Sequence, residues 1–88
     1  MWEERTPTEY MLRVLLDTPA GNREIRLVIY KDDVYGWCAC VADLKASKAT
    51  HWQSGMKSVN EAKTVASRLL GEYIRYLESV FNQQKLLA

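Results

Sequence analysis

The distribution of apolar and polar residues divides the chain into a strand-rich first part and a helical last part. Residues 10–16 and 23–31 are rich in branched and aromatic side chains, and Pro19, Gly21 and Asn22 lie between them. Branched and aromatic residues favour strands, whereas proline, glycine and asparagine favour turns, so this segment predicts a β-hairpin. The following segments predict a turn at 32–36, a strand at 37–44, a loop at 45–49 and a shorter strand at 50–54.

The last third of the chain predicts a long amphipathic helix. The sequence "SVNE", from Ser58 to Glu61, is typical of a capping box, in which a serine and a glutamate satisfy free amide groups at a helix start. Apolar residues then recur from Ala62 to Phe81 at the i, i+3, i+4, i+7 spacing of a helix. Gly71 interrupts this pattern at a cost of about 1 kcal/mol relative to alanine, so a bend at that residue is an alternative to one continuous helix.

These elements predict one α+β domain over residues 1–88, in which a four-stranded antiparallel sheet is followed by one long C-terminal helix packed on one face (ββββα). A helix of about 24 residues is about 36 Å long, whereas seven-residue strands span about 23 Å. The end of the helix is therefore expected to extend past the sheet and to need a second subunit or a partner protein. The alternative is a helix that bends back and buries its tail on its own sheet. The residues concerned are Val80, Phe81, Leu86 and Leu87.

Side chains alternate along a strand, so the strand residues separate into two faces. We expect the helix to cover a face formed by Leu12, Val14, Leu16, Ile25, Leu27, Ile29, Cys38, Cys40 and Leu44. The opposite face is expected to hold Arg13, Leu15, Arg26, Val28, Tyr30, Trp37, Ala39 and Val41. Arginines beside aromatic rings are typical of protein interfaces and of surfaces that stack nucleic-acid bases, and an ordinary half-exposed sheet face has the same pattern.

Composition and charge narrow the classes of function. The chain is 48% hydrophobic and 26% charged, as in an ordinary globular domain, and its net charge of +1 is too small to hold a polyanion through the field of the whole molecule. No apolar run approaches the roughly 18 residues that a membrane helix needs. We therefore expect a cytoplasmic protein with no membrane contact, and any nucleic-acid site has to be local.

The residues that carry chemistry are few. Cys38 and Cys40 are expected to be small buried hydrophobic residues, because structural zinc needs about four ligands and His51 is the only histidine. Asp32 and Asp33 are expected to be turn residues, and the four glycines form no phosphate-binding loop. We therefore expect no metal site, no cofactor, no small-molecule substrate and no enzymatic activity.

Two surfaces remain as candidate binding sites. The first would dock a protein, either a partner or a second copy in a homodimer, through Tyr30, Trp37, Tyr76, Val80 and Phe81. The alternative is a nucleic-acid site in the acid-free stretch 44–57, through Lys45, Lys48, Trp52 and Lys57. Lysines on an edge strand also serve to block sheet-to-sheet aggregation, which is the simpler explanation of this stretch.

Residues 27–78 resemble HicB-type antitoxin domains. The segments "YKDDVYGWCACVADL", "WQSGMKSVNEAKTVA" and "YIRYLES" carry the resemblance, and the corresponding residues are Tyr35, Asp43, Leu44, Gly55, Ser58, Glu61 and Ala62. The proline-glycine-cysteine turn of that family is missing, the loop from Leu44 to Gly55 is longer, and an extra strand precedes the match. The β-β-β-α order is also similar to double-stranded-RNA-binding domains and to the arm-binding domains of phage integrases. The resemblance implies a small, non-catalytic, antitoxin-like regulatory protein of a mobile element that binds a partner.

Overall fold

The fold is an antiparallel sheet followed by one C-terminal helix, which confirms the α+β class. The computed structural model describes the backbone of residues 1–19 and 21–87, and the side chains of these residues up to Phe81. The five strands lie in the sheet in sequence order, β1-β2-β3-β4-β5. The elements are β1 (Glu3–Thr6), β2 (Glu9–Thr18), β3 (Gly21–Asp32), β4 (Gly36–Asp43), β5 (Lys48–Met56) and α1 (Val59–Leu87).

The prediction of four strands was wrong, because β1 was not foreseen. All four residues of β1 are exposed, and its sequence "EERT" has none of the apolar alternation that marks a strand. It forms because the chain turns back at Pro7 and Thr8 and pairs with β2, where Glu3 lies opposite Met11. The backbone pairing, and not side-chain burial, therefore determines this edge strand.

The strands β2 and β3 are longer than predicted, and this changes how the helix ends. Their pairing continues through polar residues to Thr18 and Gly21, so the hairpin reaches farther along the helix. Phe81 is half-buried and packs against the core, and the hairpin residues Leu16 and Pro19 line a groove with it. The expected overhang therefore does not include Phe81. The side chains of Leu86 and Leu87 lie outside the described residues.

The helix α1 begins where the capping box predicts and runs without a break. The Glu61 N–H donates to Oγ of Ser58 at 3.1 Å, and the Lys57 N–H donates to Oε2 of Glu61 at 3.0 Å. Gly71 lies inside the helix, so the helix is not broken at that residue. The buried side chains of Leu69 and Tyr73 on either side of Gly71 hold both halves of the helix on the sheet, and their burial outweighs the cost of the glycine.

The helix packs on β3, β4 and β5, and the core lies between these layers. The pairing of Ile29 with Ala39 and of Leu27 with Val41 places the alternate residues of β4 from Trp37 to Asp43 on the helix side. The predicted phase of β4 was therefore wrong. Cys38 and Cys40 lie on the opposite face, Leu44 is exposed in the turn after β4, and Trp37, Ala39 and Val41 face the helix.

Small side chains explain why β4 takes this phase. Ala39 on the strand and Ala62 and Ala66 on the helix are fully buried, so the two backbones approach closely where they cross. Larger side chains fill the core on either side of this crossing. No helix within the described residues has the length and apolar character that are needed to span a membrane.

Candidate functional site

The face of the sheet that points away from the helix, here called the open face, has an apolar centre. Met11 of β2, Val28 of β3 and Cys40 of β4 lie side by side across three strands, and Cys38 lies beside Cys40 on the same face. Cys38 is 0% exposed and Met11 is nearly buried, although the helix packs on the other side of the sheet. Leu15, which is 68% exposed, extends the apolar surface along β2.

Charged side chains of both signs surround this centre. Strand pairing places Glu3, Glu9, Asp17, Glu24 and Asp32 on the open face together with Arg13 and Arg26. Nε of Arg26 lies 3.0 Å from Oε2 of Glu24, and Nη1 of Arg5 donates to the sulfur of Met11 at 3.6 Å. The rim of the open face therefore carries charges of both signs, with more acidic than basic side chains, and is not a basic patch.

An aromatic corner, formed by Tyr30, Tyr35 and Trp52, stands at one end of the open face. The indole N–H of Trp52 donates to the hydroxyl of Tyr30 at 2.8 Å, and its ring meets that of Tyr35 edge to face, with centroids 6.3 Å apart. Trp52 remains 53% exposed. Two irregularities in β5 aim this side chain outward, because His51 and Gly55 on either side have positive φ angles of 50° and 86°.

The thiols and the phenol of the open face are held in their neutral forms. Burial raises the pKa of the Cys38 thiol, although a hydrogen bond with Tyr30 opposes this, and burial also raises the pKa of Cys40. The hydrogen bond from Trp52 lowers the pKa of Tyr30, but burial and the neighbouring Cys38 outweigh it, so the pKa is raised. Two protonated thiols are poor nucleophiles and poor metal ligands. Among the described residues, no group of three or more His, Cys, Asp or Glu side chains is arranged to hold a metal ion.

The structure separates Trp37 from Tyr30, although the sequence placed both on one docking surface. Trp37 lies on the helix side, where its ring is 6.2 Å from that of Tyr10. Trp2 packs against the same part of the core, and Nζ of Lys63 lies 5.3 Å from the ring centre of Tyr10. Trp37 is therefore half-buried in an aromatic cluster beneath the start of the helix.

The helix residues of the predicted docking surface instead line a second site, here called the end cavity. Tyr76, Val80 and Phe81 face Lys48 and Arg23 across a cavity of about 200 Å³. This cavity lies at the end of the sheet where the β4–β5 turn meets the helix. The structure thus combines residues that the sequence assigned to two different binding sites.

A buried carboxylate lies behind the end cavity. Asp43 is 1% exposed, and its Oδ1 accepts hydrogen bonds from the N–H groups of Lys45 at 3.0 Å and Ala46 at 3.2 Å. Its Oδ2 accepts a hydrogen bond from the hydroxyl of Tyr73 and lies 2.8 Å from Nε of Arg23. The N–H of Arg23 is not aligned for a hydrogen bond, so this last contact is electrostatic.

These donors determine the ionisation of both buried groups. Burial opposes the charge on Asp43, but the hydrogen bonds and Arg23 outweigh it, so the pKa of Asp43 is lowered. Burial, together with the hydrogen bond to Asp43 and its charge, raises the pKa of Tyr73 to about 12. The sequence alone does not indicate that Arg23, Asp43 and Tyr73 form a group. The only sequence signal was an aspartate at the end of an otherwise apolar strand.

The basic residues of the alternative nucleic-acid site do not form one patch. Lys45 and Lys48 lie at the end of the sheet near the end cavity, Lys57 lies at the other end of β5 beside the helix start, and Trp52 points to the open face between them. β5 is nine residues long, which separates its ends by about 27 Å. A single phosphate backbone contact would therefore not use all four side chains together.

The remaining polar candidates have local roles. Oδ1 of Asp32 accepts hydrogen bonds from the N–H groups of Val34 at 2.8 Å and Tyr35 at 3.0 Å, which lowers its pKa and confirms its assignment as a turn residue. The ring of His51 packs edge to face on Tyr73, with centroids 5.4 Å apart.

No family model, no curated protein and no solved structure matches the chain.

Proposed function

We propose that the protein is a small, non-catalytic binding protein that acts through protein–protein contacts, and that its open face docks on the open face of a second copy. One observation carries the proposal: the apolar centre formed by Met11, Val28 and Cys40 lies on the sheet face opposite to the one on which the helix packs. The exposed side chains of Leu15 and Trp52 extend this centre to the surface, and exposed apolar side chains rimmed by polar residues are typical of an interaction site.

The charge pattern of the rim supports a second copy as the occupant. In a twofold interface the same surface contributes from both sides, so each charge meets a residue of the same surface. A rim with one sign of charge would repel its own copy. The rim of the open face contains side chains of both signs, which permits pairs of opposite charge across the interface. The acidic residues are Glu3, Glu9, Asp17, Glu24 and Asp32, and the basic residues are Arg5, Arg13 and Arg26.

The size of the open face also fits a modest homodimer. Five strands about 4.8 Å apart, each contributing about seven residues, give a footprint of about 550 Å² per copy. Two copies would bury about 1,100 Å², which lies at the lower limit of specific protein interfaces. We therefore expect a weak dimer that depends on a few exposed side chains, among them Leu15.

The nucleic-acid alternative receives less support from the geometry. The lysines are distributed over two ends of β5, and the open face beside Trp52 has no excess of positive charge. Nucleic-acid affinity depends largely on cations that contact several phosphates at once. The antitoxin-like regulatory role that the resemblance implies agrees with a partner-binding protein and stays a prediction.

The mass of the wild-type chain in solution tests the proposal. Size-exclusion chromatography with light scattering should give a mass that rises with concentration towards twice the 10.2 kDa of one chain. Leu15→Glu places a carboxylate on the open face at an exposed position and should shift the mass to that of a monomer. Ser67→Glu adds the same charge on the exposed side of the helix and should leave the mass unchanged.

Two results would contradict the proposal. One is a wild-type chain that stays monomeric at the highest attainable concentration. The other is a dimer that Leu15→Glu leaves intact, because the interface would then lie elsewhere. Salt-sensitive retention on an oligonucleotide column, weakened by Lys48→Gln, would favour the nucleic-acid alternative.

A further inference from the structure

The end cavity is a concave site that two cations of the sheet and apolar side chains of the helix line together. Arg23 and Lys48 come from the sheet, and the side chains of Val80 and Phe81 come from the helix, with Tyr76 between them. Its location on the helix side of the sheet separates it from the open face. We propose that the end cavity binds a single carboxylate carried on an apolar group.

Arg23 is held in place before any ligand binds. Its side chain is 15% exposed, its Nε is buried against Asp43, and the residue lines the end cavity. A buried ion pair adds little net stability. It does fix the orientation of the arginine, which lowers the ordering cost of binding.

Lys48 gives the end cavity a net positive charge, because the buried carboxylate of Asp43 neutralises Arg23 but not Lys48. Asp43 is engaged by Arg23, by Tyr73 and by backbone N–H groups, whereas Lys48 makes no ion pair with any residue that the structure describes. Lys48 lies opposite Asp43 in the strand pairing, so its side chain starts on the helix side of the sheet. The acidic Glu78 lines the separate groove on the other side of Phe81 and does not line the end cavity. The end cavity therefore has an excess of about one positive charge, which favours a monoanion.

The apolar wall and the volume define the rest of the ligand. Drug-sized ligands occupy pockets of about 300–1,000 Å³. The end cavity, at about 200 Å³, accommodates a smaller group, of the size of one amino-acid side chain. Val80 and Phe81 would contact the apolar part of the ligand, while Lys48 and the guanidinium of Arg23 would contact the carboxylate. Two sources supply this chemistry, the C-terminal residue of a polypeptide and a free aromatic acid.

The test is a titration of the ¹⁵N-labelled full chain with N-acetylphenylalanine, observed by NMR. The backbone amide signals of Lys48, Tyr76 and Phe81 should shift with the acid. N-acetylphenylalanine amide, which lacks the charge, should bind about tenfold more weakly, because a hydrogen bond to a charged group is lost. A short peptide that ends in phenylalanine distinguishes the two sources. Binding of the peptide tenfold tighter than the acid would identify a polypeptide C terminus, and equal binding would identify a free acid.

Lys48→Met keeps the aliphatic stem and should weaken binding of the acid about tenfold without changing the fold, because Lys48 is exposed. Lys57→Met is the matched control, since it removes a lysine at the other end of β5 and should have no effect. Equal binding of acid and amide, an unaffected Lys48→Met, or no shift of these signals at the solubility limit would overturn the proposal. Leu15→Glu should bind the acid normally, so failure of the proposed dimer would not affect this result.

Discussion

The hydroxyl of Tyr73 offers a direct test of the buried polar group behind the end cavity. Tyr73 is 1% exposed, and its hydroxyl donates to Oδ2 of the equally buried Asp43. Tyr73→Phe removes this donor and keeps the ring that packs on His51. A hydrogen bond to a charged group contributes about 1.5–3 kcal/mol. We therefore expect the free energy of unfolding at neutral pH to fall by about 2 kcal/mol.

The same substitution should change the stability of the protein in alkali. Folding raises the pKa of Tyr73 from 10.0 to about 12, so the folded state favours the protonated phenol. The stability that this group contributes is complete below pH 10 and is lost as the pH rises from 10 to about 12. At about 1.4 kcal/mol for each unit of pKa, the loss amounts to about 3 kcal/mol. The difference in stability between the wild type and Tyr73→Phe should therefore close over this range.

Urea denaturation followed by circular dichroism, at neutral pH and in steps up to about pH 12, measures this difference directly. Tyr76→Phe is the control, because Tyr76 is 47% exposed and stacks on Tyr73 from the solvent side. It should lose little stability at any pH. A difference between the wild type and Tyr73→Phe that stays constant from neutral to alkaline pH would refute the reasoning, because the phenol would then not be a buried donor.

Three further substitutions test the helix and the open face. Gly71→Ala should raise the free energy of unfolding by about 1 kcal/mol, because an added Cβ meets no atom within 4 Å; a loss of stability in urea would contradict this. Ser58→Ala should lower the free energy of unfolding by about 1 kcal/mol through loss of the cap, and an unchanged urea midpoint would show that the cap is not formed. In Cys40→Ser the remaining Cys38 is 0% exposed and should react with a thiol reagent only when the fold opens, whereas rapid labelling of the native protein would show that the centre of the open face is accessible.

The helix was predictable because its signals are local in sequence. The capping box and the apolar period act within one or two turns, and the start after Ser58 agrees with the structure. The effect of Gly71 was less predictable, since the propensity of a single residue competes with burial of Leu69 and Tyr73 against distant strands. The helix propensity of glycine follows from the sequence, whereas the burial of Leu69 and Tyr73 depends on the tertiary fold.

The sheet was less predictable, because the pairing between strands determines features that the apolar pattern does not, namely the presence of β1 and the face that each residue of β4 occupies. The polar sequence of β1 has no apolar period to detect. β4 is apolar on both faces, so alternation alone does not distinguish the phase with Cys38 and Cys40 inside from the phase with Ala39 and Val41 inside. Because the helix packs closely on β4, the phase that places the small side chain of Ala39 on the helix side is favoured. The sequence therefore indicated the strand but not its orientation.

The candidate sites show the same limit. Lys48, Tyr76 and Phe81 were identified individually as surface residues, but the sequence assigned them to different partners. The end cavity forms because the β4–β5 turn and the sixth turn of the helix meet at one end of the sheet, which is a tertiary contact. Arg23 entered no prediction, since its charge is informative only once Asp43 is placed beside it.

The two proposed surfaces should act independently because the sheet separates them. Along β4, Asp43 points towards the helix and the end cavity, whereas Cys40 and Ala42 point towards the open face. Effects of substitutions at sites that share no contact add. The double variant Leu15→Glu, Lys48→Met should therefore be monomeric and bind the acid as weakly as Lys48→Met alone. A double variant that binds the acid much more weakly than Lys48→Met would show that dimer formation and the end cavity are coupled through the sheet.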